Sequence, residues 1–533
     1  MNGLPAPSSA AGSDVAPAGA RALAQWRRRA LLVAVLALVA PLYCAWTWTG
    51  QMGQFANDGP DYLMMAEHFA SPGDAGVAAQ AAAVSRFPPL YPLLLAWSGA
   101  AGDLHRVHAV TLAAFLLALV ALWAWLRGEG FAAREAATAV LLCAALPQSW
   151  LLGLTVQSEY LYLLCSLLAL ALLGAWRRSA RAEWLYAAAL AVAAAVLTRT
   201  IGVALLVPLA LAALRAPRRS GAIALAIAVA PLAAWHLLHR SAQSYQAQLE
   251  AIYGVAPLRH LAGQLQRELP ALGGGFLDDF GAGPALAIAF GAFGAACVAG
   301  ALWRAAHLAD DAVYLAAYAA ILCVWPFPEE ASRFLWVIVP VLAVQPVLAL
   351  TALRRTAGGG FSLRRVALAA TGALLAAALV PALVRGAARV AAAADSPLPD
   401  ARAYVSWYKA DPAEAYEEVN AEIVMARDLR QIQAQVPPQD CVLAVRPDLI
   451  NFYARRKAAL VPLASVPDPL FGQLLRASGC VFVFMNTRRD SAYPDVLHPL
   501  SRLGDGIDMV FNDAVPNPPG SGRFVISMLA RLK

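Results

Sequence analysis

The chain has 533 residues, of which 60% are hydrophobic and only 14% charged, and its mean hydropathy is +0.58. Soluble domains carry about 25% charged residues, so this balance excludes an ordinary soluble enzyme and specifies a polytopic α-helical membrane protein. The net charge of +7 is then loop charge that sets topology, and it makes no case for a nucleic-acid partner.

Residues 1–20 are rich in Ala, Ser, Gly and Pro, and 1–29 read as a disordered cytoplasmic N-terminus. Arg27, Arg28 and Arg29 precede an apolar run with no small-residue cleavage site before Trp46, so a retained first helix is expected. About eleven spans follow from runs near the ~20 residues that cross a bilayer. They lie near 30–49, 107–126, 136–150, 157–175, 184–197, 200–214, 221–238, 284–303, 311–325, 334–351 and 366–384. Arginine pairs such as Arg177-Arg178, Arg218-Arg219, Arg354-Arg355 and Arg364-Arg365 fall on one side of this topology. The other side has scattered arginines, so the N-terminus is placed inside and the C-terminal tail outside. The expected location is the cytoplasmic (inner) membrane, multi-pass.

The transmembrane unit covers 30–384, with outer loops at 50–106 and 239–283. An extracytoplasmic α/β domain covers 385–533. Its strand-like runs are Cys441–Val445, Ala459–Pro462, Cys480–Met485 and Phe524–Leu529, with a helix at 412–435. Of seven cysteines, Cys441 and Cys480 fall in this tail. Two core thiols are favoured there over a disulfide, which an oxidising compartment would permit. No CxxC or Cys/His cluster suggests a thiolate metal site. Trp407, Tyr408, Tyr416 and Tyr453 are of a type that stacks on sugars, although packing is their commoner role. Arg455-Arg456-Lys457 reads as a solvated or membrane-facing run.

Acids and arginines recur on the outer side. Asp58 precedes Gly59-Pro60-Asp61-Tyr62. If a helix starts there, Asp58 is either an N-cap or a carboxylate placed to accept a proton from a hydroxyl. Arg86, before Phe87-Pro88-Pro89-Leu90-Tyr91-Pro92, is either a phosphate ligand or a headgroup anchor on a rigid, extended entry. Glu159, after Gln157-Ser158, opens the fourth span as a dipole-favoured or cavity-facing acid. Arg199 sits in the short link Thr198-Arg199-Thr200, where a phosphate would offset its burial. Arg333 follows Glu329 and Glu330, and is expected to pair with one of them or with a lipid phosphate. Ordinary interfacial anchoring remains the bland reading of both arginines.

As a set, Asp58-x-x-x-Tyr62, Pro88-Pro89-Leu90-Tyr91-Pro92, Ser158-Glu159 and Leu197-Thr198-Arg199 resemble the GT-C glycosyltransferases over about residues 25–350. The nearest branch is the family-39-like one of protein mannosyltransferases and lipid A aminoarabinose transferases. The resemblance implies a polyprenyl-phosphate sugar donor and a lipid, glycan or protein acceptor at the outer face, among membrane lipids. It implies Asp58 as catalytic base and Glu159 as a second acid. It also implies Arg199 and Arg333 as phosphate ligands, with Arg86, Tyr62 and Tyr91 nearby. The implied reaction is a single inverting displacement. It implies no dependable cofactor; a divalent metal is compatible with it, and no ligand cluster demands one. The chain departs in two places. Gly59 stands where the family often has Glu, leaving Asp61 or Glu159 as substitute, and Phe87 stands where a basic residue often precedes Pro-Pro. Two rivals are a transporter or flippase of the same lipid and a non-catalytic envelope assembly protein. Transporters place polar sites near the midplane on internal repeats, and the acids here lie at the edge with no repeat.

Overall fold

The computed structural model describes residues 18–53, 58–239, 284–324, 331–357, 362–392, 412–462, 468–486, 504–516 and 524–533, with positions 262 and 266. Residues 1–17 of the expected disordered N-terminus, most of the 239–283 loop, Trp407, Tyr408, Glu329 and Glu330 lie outside them, whereas residues 18–29, expected to be disordered, are helical as the start of α1. The helices in chain order are α1 (Ala18–Thr47), α2 (Gly59–Ala70), α3 (Val77–Val84), α4 (Leu90–Trp97), α5 (Leu104–Gly128), α6 (Ala133–Ala145), α7 (Pro147–Leu154), α8 (Glu159–Ser179) and α9 (Ala182–Thr198). A 3-10 turn (Thr200–Leu205) follows, then α10 (Leu206–Arg215), α11 (Arg218–Leu238), α12 (Pro284–Ala306), α13 (Asp310–Leu322), α14 (Ala331–Trp336), α15 (Val339–Leu342), α16 (Gln345–Ala357), α17 (Ser362–Ala392), α18 (Pro412–Gln435) and α19 (Asp468–Ala477).

Among the described residues, six helices are long and apolar enough to cross a membrane, or up to seven if the pair α6–α7 is one span. That pair bends by 55° where Pro147 follows Leu146, because a proline ring cannot continue the preceding helix. The other expected spans are occupied by shorter apolar helices, among them α9 and the run 339–353. Helix α8 is central, with 72% of its apolar window buried, against 17% in α11 and α12. The outer helices instead leave Leu237, Leu238, Ile288 and Leu302 exposed. An apolar surface of this extent needs lipid around it. This is an integral membrane protein.

At its C-terminal end, α8 meets an ionic cluster whose Asp310, Asp311, Arg304 and Gln345 are buried. Arg177 Nε pairs with Asp310 Oδ2 at 3.1 Å and Arg177 Nη2 with Glu129 Oε1 at 3.4 Å. Beside them Arg304 Nη2 donates to Asp311 Oδ1 at 2.6 Å, and Gln345 Nε2 to Asp311 Oδ2 at 2.8 Å. Gly300 permits this meeting: a Cβ there would lie 3.0 Å from the Gln345 backbone.

The tail forms a five-stranded sheet of order β2-β1-β3-β5-β4, from β1 (Cys441–Ala444), β2 (Lys457–Leu460), β3 (Phe482–Asn486), β4 (Ile507–Pro516) and β5 (Phe524–Leu532). Strands β2, β1 and β3 are parallel; β5 is antiparallel to both β3 and β4. Side chains alternate across it. Val442, Ala444, Phe482 and Phe484 pack on α18, while Leu443, Val483 and Met485 pack on Phe471 and Leu475 of α19. Strand β4, with its edge position and polar Asp508, Asn512 and Asp513, carries too little apolar signal to be expected from sequence. The cysteines correct an expectation: Cys441 and Cys480 form a disulfide. The β1–β3 pairing brings the two strand entries side by side, with Val481 N donating to Cys441 O.

In the basic run Arg455 and Lys457 are exposed, as expected of a solvated run, but both arginines have partners. Arg455 forks onto Glu67 of α2 through Nη1–Oε2 and Nη2–Oε1 contacts of 2.7 and 2.9 Å. Arg456 donates to the Val436 and Gln433 carbonyls at 2.6 Å. These arginines hold the α/β domain together and seat it on α2. Tyr453 stacks edge-on against Phe452, 4.9 Å between centroids, and both pack against the core of the helical unit.

Candidate active site

Gly59-Pro60 begins α2 because the fixed φ of proline suits a first helical turn and its missing N–H needs no partner. Asp58 holds the N-cap position, yet its carboxylate makes no capping hydrogen bond. Asp103 shows what a capping aspartate does here: at the start of α5 it accepts from the His105 and Arg106 backbone N–H groups at 3.0 and 3.3 Å. Asp58 Oδ2 instead accepts from Arg333 Nη2 at 2.9 Å, across 275 positions of sequence.

Arg333 leads on to Glu159. The Glu159 side chain, 1% exposed at the first residue of α8, pairs through Oε1 with Arg333 Nε at 3.0 Å and Arg199 Nη1 at 2.7 Å. Arg199 Nη1 also donates to Ser158 Oγ at 3.2 Å, and Ser158 Oγ shares a 2.9 Å hydrogen bond with the Tyr62 hydroxyl. With its amide oriented to suit this network, Gln157 donates to both Glu159 oxygens and accepts from Arg333 Nη1. The Phe334 ring lies 5.2 Å from both guanidinium carbons, a cation–π arrangement suited to weakly hydrated arginine. Tyr318 fixes that turn by donating to the Phe334 carbonyl at 2.9 Å.

Local sequence explains how Arg199 reaches the site. Its backbone is extended (φ −147°, ψ 136°) between α9 and the 3-10 turn, which breaks the helix and turns the side chain toward α8. Gly202 lets the turn close against α9, since a Cβ there would lie 2.7 Å from the Ala195 backbone. Isolated buried charges cost several kcal/mol each (~5). Here they alternate as Asp58, Arg333, Glu159, Arg199, so each is compensated.

A small pocket, partly open to solvent, borders this chain of charges; Tyr62, Phe87, Pro88, Arg199, Thr200, Ile201 and Phe334 line it. Burial opposes ionisation of Asp58, but Arg333, Arg199, Arg86 and Arg446 outweigh it and hold the carboxyl below its ordinary range. Asp61 behaves oppositely. Burial and the Asp448 carboxylate push it up to about 8, against the pull of Arg86 and Arg446. At neutral pH Asp61 is therefore mostly neutral and draws little on the charge of Arg86 and Arg446.

The residues expected from sequence separate into groups. Asp58, Glu159, Arg199 and Arg333 are joined directly, and Tyr62 reaches Arg199 through Ser158. The observed partners of Arg333 are Asp58 and Glu159; the expected partners Glu329 and Glu330 lie outside the described residues. Arg86 stacks on Phe87 at 5.3 Å and lies within electrostatic reach of Asp58 and Asp61. Tyr91 lies behind the pocket. It is 1% exposed, shares a 2.8 Å hydrogen bond with Thr111, and meets Tyr62 edge-on at 5.2 Å. Pro89 caps α4 in a helical conformation, so the expected extended entry ends before Leu90, and Leu90-Tyr91-Pro92 is helical. Sequence reasoning missed Phe334 and Arg446. Phe334 directly follows a flagged arginine, which is a usable signal; Arg446 had none. Among the described residues, no three His, Cys, Asp or Glu side chains gather as a metal site.

The solved structures similar to this chain include two of one transferase. "Crystal Structure of ArnT from Cupriavidus metallidurans bound to Undecaprenyl phosphate" is 17% identical, covers 93% of this chain and 97% of that one, and has a TM-score of 0.47. The apo state of ArnT from the same organism is 18% identical over 96% and 98%, also with a TM-score of 0.47. No protein-family model and no curated protein matches.

Proposed function

We propose that this protein is a membrane glycosyltransferase that moves a sugar from a polyprenyl-phosphate donor to an acceptor hydroxyl at the face bearing the α/β domain. The observation that carries the reading is an aspartate at a helix start that does not cap. Asp58 is tied to Arg333, and Arg333 and Arg199 share Glu159 beside the pocket. A structural cap would spend its oxygens on the helix, as Asp103 does.

In this reading the donor phosphate enters at Arg199 and Arg333, and Tyr62, Phe87 and Phe334 flank the sugar. Arg333 turns from Asp58 to the phosphate. Losing that partner raises the basicity of Asp58 at the moment a base is needed. The acceptor oxygen then bonds to the anomeric carbon as its proton passes to Asp58. The bond from that carbon to the phosphate oxygen breaks, and its electron pair leaves with the polyprenyl phosphate. The leaving group gains one negative charge, which the two arginines stabilise. A single displacement inverts the anomeric centre. Glu159 is a positioning residue that holds both arginines, and Asp61 flanks the base. The full topology in this reading has about eleven spans in the inner membrane, with the N-terminus inside and residues 385–533 outside.

The test uses the purified full chain in proteoliposomes given a polyprenyl-phosphate sugar and envelope acceptors. Transfer with release of polyprenyl phosphate and an inverted linkage is expected. Movement of the lipid between leaflets without sugar transfer would overturn the reading in favour of a transporter.

A further inference from the structure

We infer that the α/β domain completes the active site by supplying Arg446 as a positioning residue for Asp58. The inference rests on the glycosyl-transfer reading above and extends it to a domain that the site residues expected from sequence did not include.

Arg446 stands just beyond the carboxyl end of β1, the edge where open α/β sheets place functional side chains. Asp448, 5% exposed, grips its guanidinium by a fork, Nε to Oδ1 at 3.0 Å and Nη2 to Oδ2 at 2.7 Å. Such a fork fixes the plane and direction of the cation. The arginine still has 30% of its side chain exposed, so a group entering the site can reach it. The short helix carrying Asp448 packs on α2, and Arg446 lies within electrostatic reach of both Asp58 and Asp61.

The need for this residue follows from the ion-pair exchange. Arg333 and Arg199 approach Asp58 from the side of α8, the side of the donor pocket. When a phosphate draws them away, Arg86 and Arg446 are the cations left to oppose the burial that favours a protonated Asp58. Arg446 approaches from the α/β domain and has no reason to follow the phosphate. Together with Arg86 it keeps Asp58 anionic until the acceptor hydroxyl arrives. Seating of the domain does not depend on it, because Arg455 and Glu67 form a separate forked pair at the same interface.

The experiment compares Arg446→Ala, Arg446→Gln, Arg446→Lys, Arg455→Ala and Asp58→Asn in the full-length protein in proteoliposomes, with kcat, donor KM and the pH profile of kcat as readouts. Arg446→Ala is expected to lower kcat about ten-fold with donor KM nearly unchanged. The acid limb of its profile should move to higher pH by about half a unit, less than a contacting opposite charge gives. Arg446→Gln keeps a hydrogen bond to Asp448 and carries the same test should the alanine variant not fold. Arg446→Lys should bring the limb back, and Arg455→Ala should leave it unmoved. An unmoved acid limb in Arg446→Ala or Arg446→Gln, or a loss matched by Arg455→Ala, overturns the inference. Those results leave the glycosyl-transfer reading standing; full transfer by Asp58→Asn would sink that reading itself.

Discussion

Helix α8 joins two ionic clusters, Glu159 at its first residue and Arg177 near its last, about 27 Å apart at 1.5 Å per residue. Their chemistry is alike. Asp311 receives Arg304 and Gln345, and Asp310 receives Arg177; Glu159 receives Arg199 and Arg333, and Asp58 receives Arg333. They differ in what surrounds them. Around Arg177 and Arg304 the acids close on cations from neighbouring helices and tie the helix ends together. Around Glu159 one arginine, Arg199, lines a pocket, and the other, Arg333, holds an aspartate that an ordinary helix start would have used as a cap. Burial and pairing alone thus do not separate a staple from a site. The separating feature is a partner that an incoming anion can replace.

Mutations sharpen this comparison. Asp311→Ala leaves Arg304, 8% exposed, without its carboxylate. Breaking a buried pair in this way costs about 3–5 kcal/mol. A large fall in melting temperature is expected, with kcat of the surviving folded enzyme unchanged. Arg333→Ala should do the reverse. Transfer falls ~100–1000-fold, the scale of one lost oxyanion donor, and the loss is read in single-turnover assays on folded protein. Arg199→Lys keeps charge but loses the planar guanidinium that meets Glu159, Ser158 and Phe334. It should raise donor KM about ten-fold with a smaller effect on kcat. If Asp311→Ala slowed transfer as much as Arg333→Ala at equal stability, the division between staple and site would fail.

The smallest expected effect concerns Asp61. Its folded pKa of about 8 stands above the ordinary 3.8 because of burial and Asp448, with Arg86 and Arg446 opposing and Asp58 adding. A raised folded pKa means a stabilising contribution that is complete below pH ~4 and lost as pH rises through about 8. Asp61→Asn removes this dependence. Its melting temperature should stay flatter than the unsubstituted protein between pH 4 and 8, and exceed it above pH 8. Parallel melting curves across that range would contradict the placement of Asp61 against Asp448.

Much of the site was legible because membranes penalise charge. Asp58, Glu159, Arg199 and Arg333 stand out in sequence as expensive residues beside apolar runs, and topology assigned all four to one face. Their contacts were not legible, since separations such as the 275 positions between Asp58 and Arg333 carry no local pattern. The capping alternative for Asp58 also needed coordinates, because both readings predict the same residue at the same helix start. In the tail, alternation marked most strands, but the disulfide depended on which strands are neighbours. Arg446 and Asp448 acquire meaning only when the α/β domain sits on α2. Short or bent helices such as α9 and α6–α7 explain why apolar runs counted as about eleven spans meet the length test in only six or seven helices.

The central claim is that Asp58 is a base held in reserve by Arg333, and not a helix cap. Its most direct test is the single-turnover rate of sugar transfer by Asp58→Asn in proteoliposomes, measured beside its melting temperature. Asparagine nearly preserves shape and can cap a helix, but it cannot take the acceptor proton. The account predicts a folded protein that still binds the donor lipid and transfers sugar ~100–10,000-fold more slowly. Transfer at the unsubstituted rate would contradict it.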